Sequence, residues 1–376
     1  MQAPLTGFLA GMGAAALIGV SVPPAWAADL RVATYNTELF RKGPGLLLRD
    51  IMEGDDPQVR AVVAVIAHMR PDILALQGID YDLDGLAVQA LAERISAQGL
   101  DLTYHFAHPP NTGLRTGLDM DGDGRTGGPR DAQGFGYFAG QGGIAILSRF
   151  PILEDEVREF STMLWPDLPG ATLPEDEGPF PSAEAQAIQR LSTTAHWDVP
   201  VKVGDTVLHL LTFHATPPVF DGPEDANGLR NRDELRLWSL YLDGALAGAV
   251  PPAAPFVVLG DANLDPEDGD GRSAAMRAFL NDPRLTDPKP TSDGATAASH
   301  LQGGANLDDR GDPALDTVDW DDAADGPGNL RVDYVLPSAD LSVTGSGVFW
   351  PEGGELAETV ARASRHRLVW VDIALP

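Results

Sequence analysis

Phe256-Val257-Val258-Leu259-Gly260-Asp261-Ala262-Asn263 decides the reading of this chain. Four apolar residues form a short buried strand, and a glycine ends it. An aspartate and an asparagine follow, two positions apart. Side chains two apart in an extended chain share one face. Open α/β sheets place their ligands at the carboxyl ends of their strands. A carboxylate and an amide therefore converge on one point. Activating water, or assisting a metal in phosphate chemistry, requires such a pair.

The chain has 376 residues, no cysteine and a formal net charge of −29. Without cysteine there is no thiolate catalysis, no disulfide framework and no cysteine metal site. Duplex nucleic acid is held by clustered lysine and arginine that displace counterions. So acidic a chain is not expected to bind duplex DNA tightly without cations. Residues 5–22 are apolar and rich in small residues, and Ala25-Trp26-Ala27 has the form of a cleavage site. Residues 1–27 are expected to be a signal peptide that sends the protein to the periplasm or beyond. No lysine or arginine precedes the apolar run, so a retained anchor is the alternative. No other segment reaches the roughly 18 apolar residues of a membrane span, so stable membrane insertion is not expected after cleavage.

Strands are expected at Leu30–Asn36, Ile73–Gln77, Leu102–Phe106, Gly143–Ser148, Ile152–Phe160, Ile188–Val199, Val207–Phe213, Phe256–Leu259, Arg331–Leu336, Leu341–Phe349 and Leu368–Ile373. Helical periodicity marks Pro57–Met69, Leu86–Gln98, Leu229–Ala247 and Gly271–Leu280. Residues 28–376 form one α/β domain in this reading, with long insertions at about 108–142, 165–187 and 285–329. The last insertion carries eight aspartates between Asp308 and Asp325, read as a solvated loop.

Polar residues suited to catalysis recur at strand ends. Asn36 closes the first strand and His214 follows Leu210-Leu211-Thr212-Phe213. Asp333 opens Asp333-Tyr334-Val335-Leu336, and Ser364-Arg365-His366 precedes the last strand. Together with Ala33-Thr34-Tyr35-Asn36, Pro71-Asp72-Ile73-Leu74-Ala75-Leu76-Gln77 and Gly143-Ile144-Ala145-Ile146-Leu147-Ser148-Arg149, this order resembles the endonuclease/exonuclease/phosphatase superfamily. The resemblance implies a four-layer α/β sandwich, two mixed sheets face to face with helices outside. It also implies an exported phosphoesterase that uses a divalent cation, magnesium or else manganese or calcium. Its substrate is a phosphate ester: nucleic acid, lipid headgroup or small molecule. By the same resemblance Asp261 handles the attacking water, Asn263 and Asn36 hold phosphate or metal-bound water, His366 binds phosphoryl oxygens, Asp333 orients His366, and His214 assists. Arg365 and Arg149 are expected to contact substrate phosphate.

Two positions depart from the family pattern. Where the family has Leu-Gln-Glu with a metal-binding glutamate, this chain has Leu76-Gln77-Gly78. Asp80, two residues on, is expected to substitute, joining Asn36 and Asp261 around the metal. Where the family has aspartate before the final histidine, this chain has Arg365. These departures raise the alternative of a catalytically impaired binding protein on the same scaffold. Finally, Asp119-Met120-Asp121-Gly122-Asp123-Gly124 matches the first half of a calcium loop, whose twelfth position would be Arg130. A structural calcium at Asp119, Asp121 and Asp123 is expected to order that glycine-rich segment.

Overall fold

The computed structural model describes Met1, residues 29–253 and residues 255–375. The expected signal segment, Met1 apart, lies outside the described residues. In chain order the strands are β1 (Leu30–Asn36), β2 (Ile73–Ile79), β3 (Tyr104–Phe106), β4 (Gly143–Ser148), β5 (Arg158–Glu159), β6 (His196–Val203), β7 (Thr206–His214), β8 (Phe256–Asp261), β9 (Val318–Asp319), β10 (Asn329–Leu330), β11 (Asp333–Pro337), β12 (Ser342–Val348) and β13 (Val369–Ala374). The helices are α1 (Leu46–Glu53), α2 (Pro57–Met69), α3 (Leu86–Ser96), α4 (Ala183–Ile188), α5 (Ala226–Leu242), α6 (Ser273–Leu280), α7 (Asp293–Gln302) and α8 (Gly354–Ala363). β9 and β10 form a two-stranded sheet; of the two larger sheets, one runs β12-β13-β1-β2-β4-β3 and the other β11-β8-β7-β6-β5. Both are mixed: β1 is parallel to β2 but antiparallel to β13, and β8 is parallel to β7 but antiparallel to β11.

Strand parity builds the layers. Val32, Ile73, Val257, Leu259, Leu210, Val335 and Val371 face one another in the core between the sheets. Their sequence neighbours point the other way. Ala33 and Tyr35 pack under α1, α2, α3 and α8, while Val258, Leu211 and Tyr334 pack under α5 and α6. Both faces of each central strand are buried, which is why these strands read as continuous apolar runs. The result is the expected α/β four-layer sandwich. Among the described residues no helix is long and apolar enough to cross a membrane.

Several local expectations shift. Ile152–Phe160 is not one strand, because Glu154–Glu156 folds into a 3₁₀ turn between the single bridge of Ile152 to Val201 and the Arg158–Glu159 pairing with β6. Residues 165–187, expected on the surface, send Trp165 fully into the core beneath α5, where its indole N–H donates to Asp233. The 285–329 segment contains α7, capped by the Ser292 hydroxyl, which accepts from the Gly294 N–H. Helices α1 and α8 were not expected. Residues in left-handed backbone, Gly45 and Gly54, bracket the short α1, leaving little periodicity to read.

Candidate active site

The inter-sheet parity carries the chemistry to one end of the sandwich. Asn36 continues the inward series Val32, Thr34 on β1, and Asp261 continues Val257, Leu259 on β8. His214 pairs in register with Asp261 across β7 and β8, and Asp333 does so across β11 and β8. His366 stands just before β13, antiparallel to β1. Four strands and one strand entrance thus deliver five side chains to one place.

Gly260 makes the turn-off possible. Its φ is +146°, and a Cβ there would lie 2.1 Å from the Phe213 carbonyl oxygen. Asp261 is fully buried, and its Oδ2 accepts from Asn36 Nδ2 at 2.8 Å. His214 Nε2 lies 3.4 Å from the same oxygen. Its Oδ1 accepts the Asn263 backbone N–H at 2.8 Å. The Asn263 side chain donates to the Ala215 carbonyl, tying the β7 exit to the β8 exit. His366 Nδ1 donates to Asp333 Oδ2 at 2.9 Å.

Burial raises the Asp261 carboxyl above the usual range, and the charge of Asp333 adds to it. His366 responds oppositely. Burial alone would disfavour its charge, but Asp333 and Asp261 outweigh that and push it up to about 9. At neutral pH it is an imidazolium held between two carboxylates. Its Nε2–H then faces Asn36 Nδ2, another donor, 3.4 Å away. Two donors side by side at the wall of a cleft await an acceptor. His214, lowered by burial, is neutral.

Asn36, His214, Asp261, Asn263 and His366 border a cleft of ≈ 1220 Å³, rimmed by Phe40, Phe135, Tyr137 and Phe220. All four rim aromatics are exposed. Met120, Asp121 and Arg130 bring the Asp119–Gly124 loop to the same rim. Helix α5 supports the floor from behind. Asn231 donates to the carbonyls of Thr216 and Ala262, and Glu234 accepts the Thr193 and Thr216 N–H groups. Sequence reasoning missed both, because polar residues on the buried face of a long helix blur its periodicity.

Two expected residues are not brought here. Asp80 is buried, but Oδ1 accepts the Gly142 N–H at 2.9 Å and Oδ2 the Arg41 N–H at 2.8 Å. It clamps two loops instead of reaching Asn36 and Asp261. Arg149 pairs with Asp72 beyond the start of β2, where Ile73 lies opposite Ser148. That is the opposite end of the sandwich from Gln77 and the cleft. Arg365 does line the cleft. Its Nε donates to Glu38 Oε1 at 2.9 Å and its backbone N–H to Glu38 Oε2 at 2.9 Å. Glu38 is the other residue that sequence reasoning passed over; its only signal was its place two residues after Asn36.

Among the described residues, two groups bring one ligand atom from each side chain within 4.8 Å of the others: Asp261, Asp333 and His366, and Asp119, Asp121 and Asp123. Carboxylates so grouped could hold a cation. The residues at the cleft nevertheless do not fit the divalent cation that the family implies. Position 78 offers no donor, and a Cβ there would stand 2.4 Å from Asn36 Oδ1 and 3.0 Å from the Glu38 nitrogen. Gly78 also has φ +68°, which disfavours a glutamate. Arg365 is itself a cation, the Glu38 carboxylate is committed to it, and the charged His366 already compensates Asp261 and Asp333.

The family model for the endonuclease/exonuclease/phosphatase family matches residues 33–366, and the chain belongs to that family. Its members are hydrolases of phosphoester bonds, and this chain is an enzyme of that class. No curated protein matches the chain. Among solved structures, a family protein from Beutenbergia cavernae DSM 12333 is similar at 19% identity and TM-score 0.53, over 92% of this chain and 72% of that one. One from Leptotrichia buccalis C-1013-b is similar at 16% identity and TM-score 0.50, over 92% and 100%. Sphingomyelinase C from Streptomyces griseocarneus aligns at 17% identity and TM-score 0.45, over 92% and 99%.

Proposed function

We propose that the protein is an exported phosphoesterase that cleaves phosphodiester or phosphomonoester bonds by direct attack of water. The observation that carries this reading is the buried Asp261–His366–Asp333 cluster with Asn36 at the wall of an open cleft. A carboxylate whose proton affinity burial has raised is a stronger general base than a free one. Asp261 takes a proton from water as its oxygen bonds to phosphorus. The ester oxygen leaves with the P–O electron pair and is protonated by solvent in the cleft, and Asp261 returns its proton to solvent. The His366 Nε2–H and the Asn36 amide stabilise charge growing on the phosphoryl oxygens. Asp333 orients the imidazole and sustains its charge. His214 and Asn263 hold Asp261 in place.

The exposed aromatic rim suits a substrate with an apolar or planar group beside its phosphate. The −29 charge disfavours duplex DNA as that substrate. Export rests on the sequence of residues 1–27, and N-terminal sequencing of secreted protein tests it. Calcium at Asp119, Asp121 and Asp123 would order the loop at the cleft rim.

Hydrolysis of bis-p-nitrophenyl phosphate and p-nitrophenyl phosphate tests the reading, with Asp261→Ala and His366→Ala as controls. Turnover abolished by both changes supports it. Absence of turnover with both esters would overturn it.

A further inference from the structure

We infer that the Arg365 guanidinium, positioned by Glu38, takes the place of a divalent metal, so that Arg365 binds the substrate phosphate without one. The inference rests on the phosphoesterase reading above. Phosphoryl transfer needs positive charge beside the phosphoryl oxygens, and a guanidinium or a metal can supply it. In this chain the two family positions at issue, Gly78 and Arg365, lose carboxylates together. Removing one carboxylate weakens a cation site. Putting a guanidinium at the other supplies the charge covalently.

The geometry makes Arg365 more than a surface arginine. Glu38 holds it at three points: Nε at 2.9 Å, an Nη2–H at 2.5 Å and the backbone N–H at 2.9 Å. The Ser364 hydroxyl donates to the Asn36 carbonyl at 2.7 Å and its oxygen stands 3.3 Å from Glu38 Oε2. The pair is therefore pinned to the strand that carries Asn36. The Glu38 side chain is largely covered, at 14% exposure, whereas that of Arg365 is 61% exposed at the cleft. Nη1 has no protein acceptor among the described residues, which leaves its N–H groups for a ligand. Glu38 is a positioning residue: its carboxylate sits below the usual range, because Arg365 and His366 more than offset its burial. Gly78 is part of the same arrangement. Its missing Cβ leaves the room through which Asn36 Oδ1 meets the Glu38 N–H at 3.2 Å.

The full chain, dialysed against EDTA, is the material for the test, with Arg365→Ala, Arg365→Lys and Glu38→Gln beside it. One arm measures turnover of bis-p-nitrophenyl phosphate. The other measures binding of inorganic phosphate by calorimetry, with EDTA present. The chelated wild type should keep its turnover within about twofold and bind phosphate. Arg365→Ala should lose about 10²–10³-fold in kcat, as for removal of one oxyanion donor, and should lose phosphate binding. Free guanidinium should restore part of its turnover, and Arg365→Lys should keep more activity than Arg365→Ala. Glu38→Gln should raise KM more than it lowers kcat. Turnover that collapses on chelation and returns with magnesium overturns the inference and leaves the phosphoesterase reading standing. If neither ester is hydrolysed under any condition, that reading fails instead. The phosphate arm still decides the inference, which is overturned if binding is absent or unchanged by Arg365→Ala.

Discussion

Asp80 and Asp261 are both buried carboxylates at the carboxyl ends of strands in facing sheets, and burial raises both. Their partners separate them. Asp80 gives one oxygen to each of two backbone N–H groups, in loops that it joins. Asp261 gives only Oδ1 to a backbone N–H and turns Oδ2 to an amide and two imidazoles at the edge of a cleft. A backbone donor fixes a loop; a polar side chain beside open space can exchange its partner for a substrate. Burial and a raised pKa do not mark a catalytic group by themselves, and the kind of donor around the carboxylate decides.

The comparison breaks most sharply at Asp261. Asp261→Asn keeps the shape and removes the base, so kcat should fall by about 10²–10⁴-fold with little change in KM. An unchanged kcat would place the chemistry elsewhere. The pH–rate profile is the next test. The rate should rise as Asp261 loses its proton, at a pH above the ordinary carboxylate range, and fall above about 9 as His366 loses its own. His366→Gln should remove the alkaline limb. The same group has a stability signature. The folded value of about 9 stands above the reference 6.5. Its contribution is therefore complete below about 6.5 and lost as pH rises through about 9. Wild type should lose denaturant resistance over that window relative to His366→Gln.

Asp80→Ala should do the reverse of Asp261→Asn. It leaves two loop N–H groups without their acceptor, costing about 1–3 kcal/mol of stability, read from the urea midpoint, and should leave kcat near wild type. A large kcat loss with normal stability would return Asp80 to the active site. The smallest effect belongs to Arg149→Ala at the far end of the sandwich. Loss of a partly exposed ion pair should cost no more than about 1 kcal/mol, and KM should not change. A raised KM would show substrate reaching that end.

The legible elements were those whose side chains repeat. Leu30–Asn36, Pro57–Met69 and Gly143–Ser148 were read to the residue, because two-sided burial gives strands unbroken apolar runs and one-sided burial gives α2 its period. Helices α1 and α8 were missed, being short and bounded by glycine or serine. Asn36, His214, Asp261, Asp333 and His366 were legible as polar residues closing or opening apolar strands. Glu38, Asn231 and Glu234 were not. Each acts through a partner far away in sequence, as Glu38 does through Arg365.

The sequence by itself determined the layers and the end of the sandwich that carries the polar groups. Strand parity is local, and once Val257 and Leu259 face inward Asp261 must follow them. Only the tertiary structure decided which charges meet. Asp80 lies two residues from Gly78, yet its carboxylate is captured by the Arg41 and Gly142 amides. Glu38 and Arg365, 327 positions apart, close into an ion pair at the cleft. Parity fixes the face a side chain takes, but its partner depends on how loops from distant strands return to the same end.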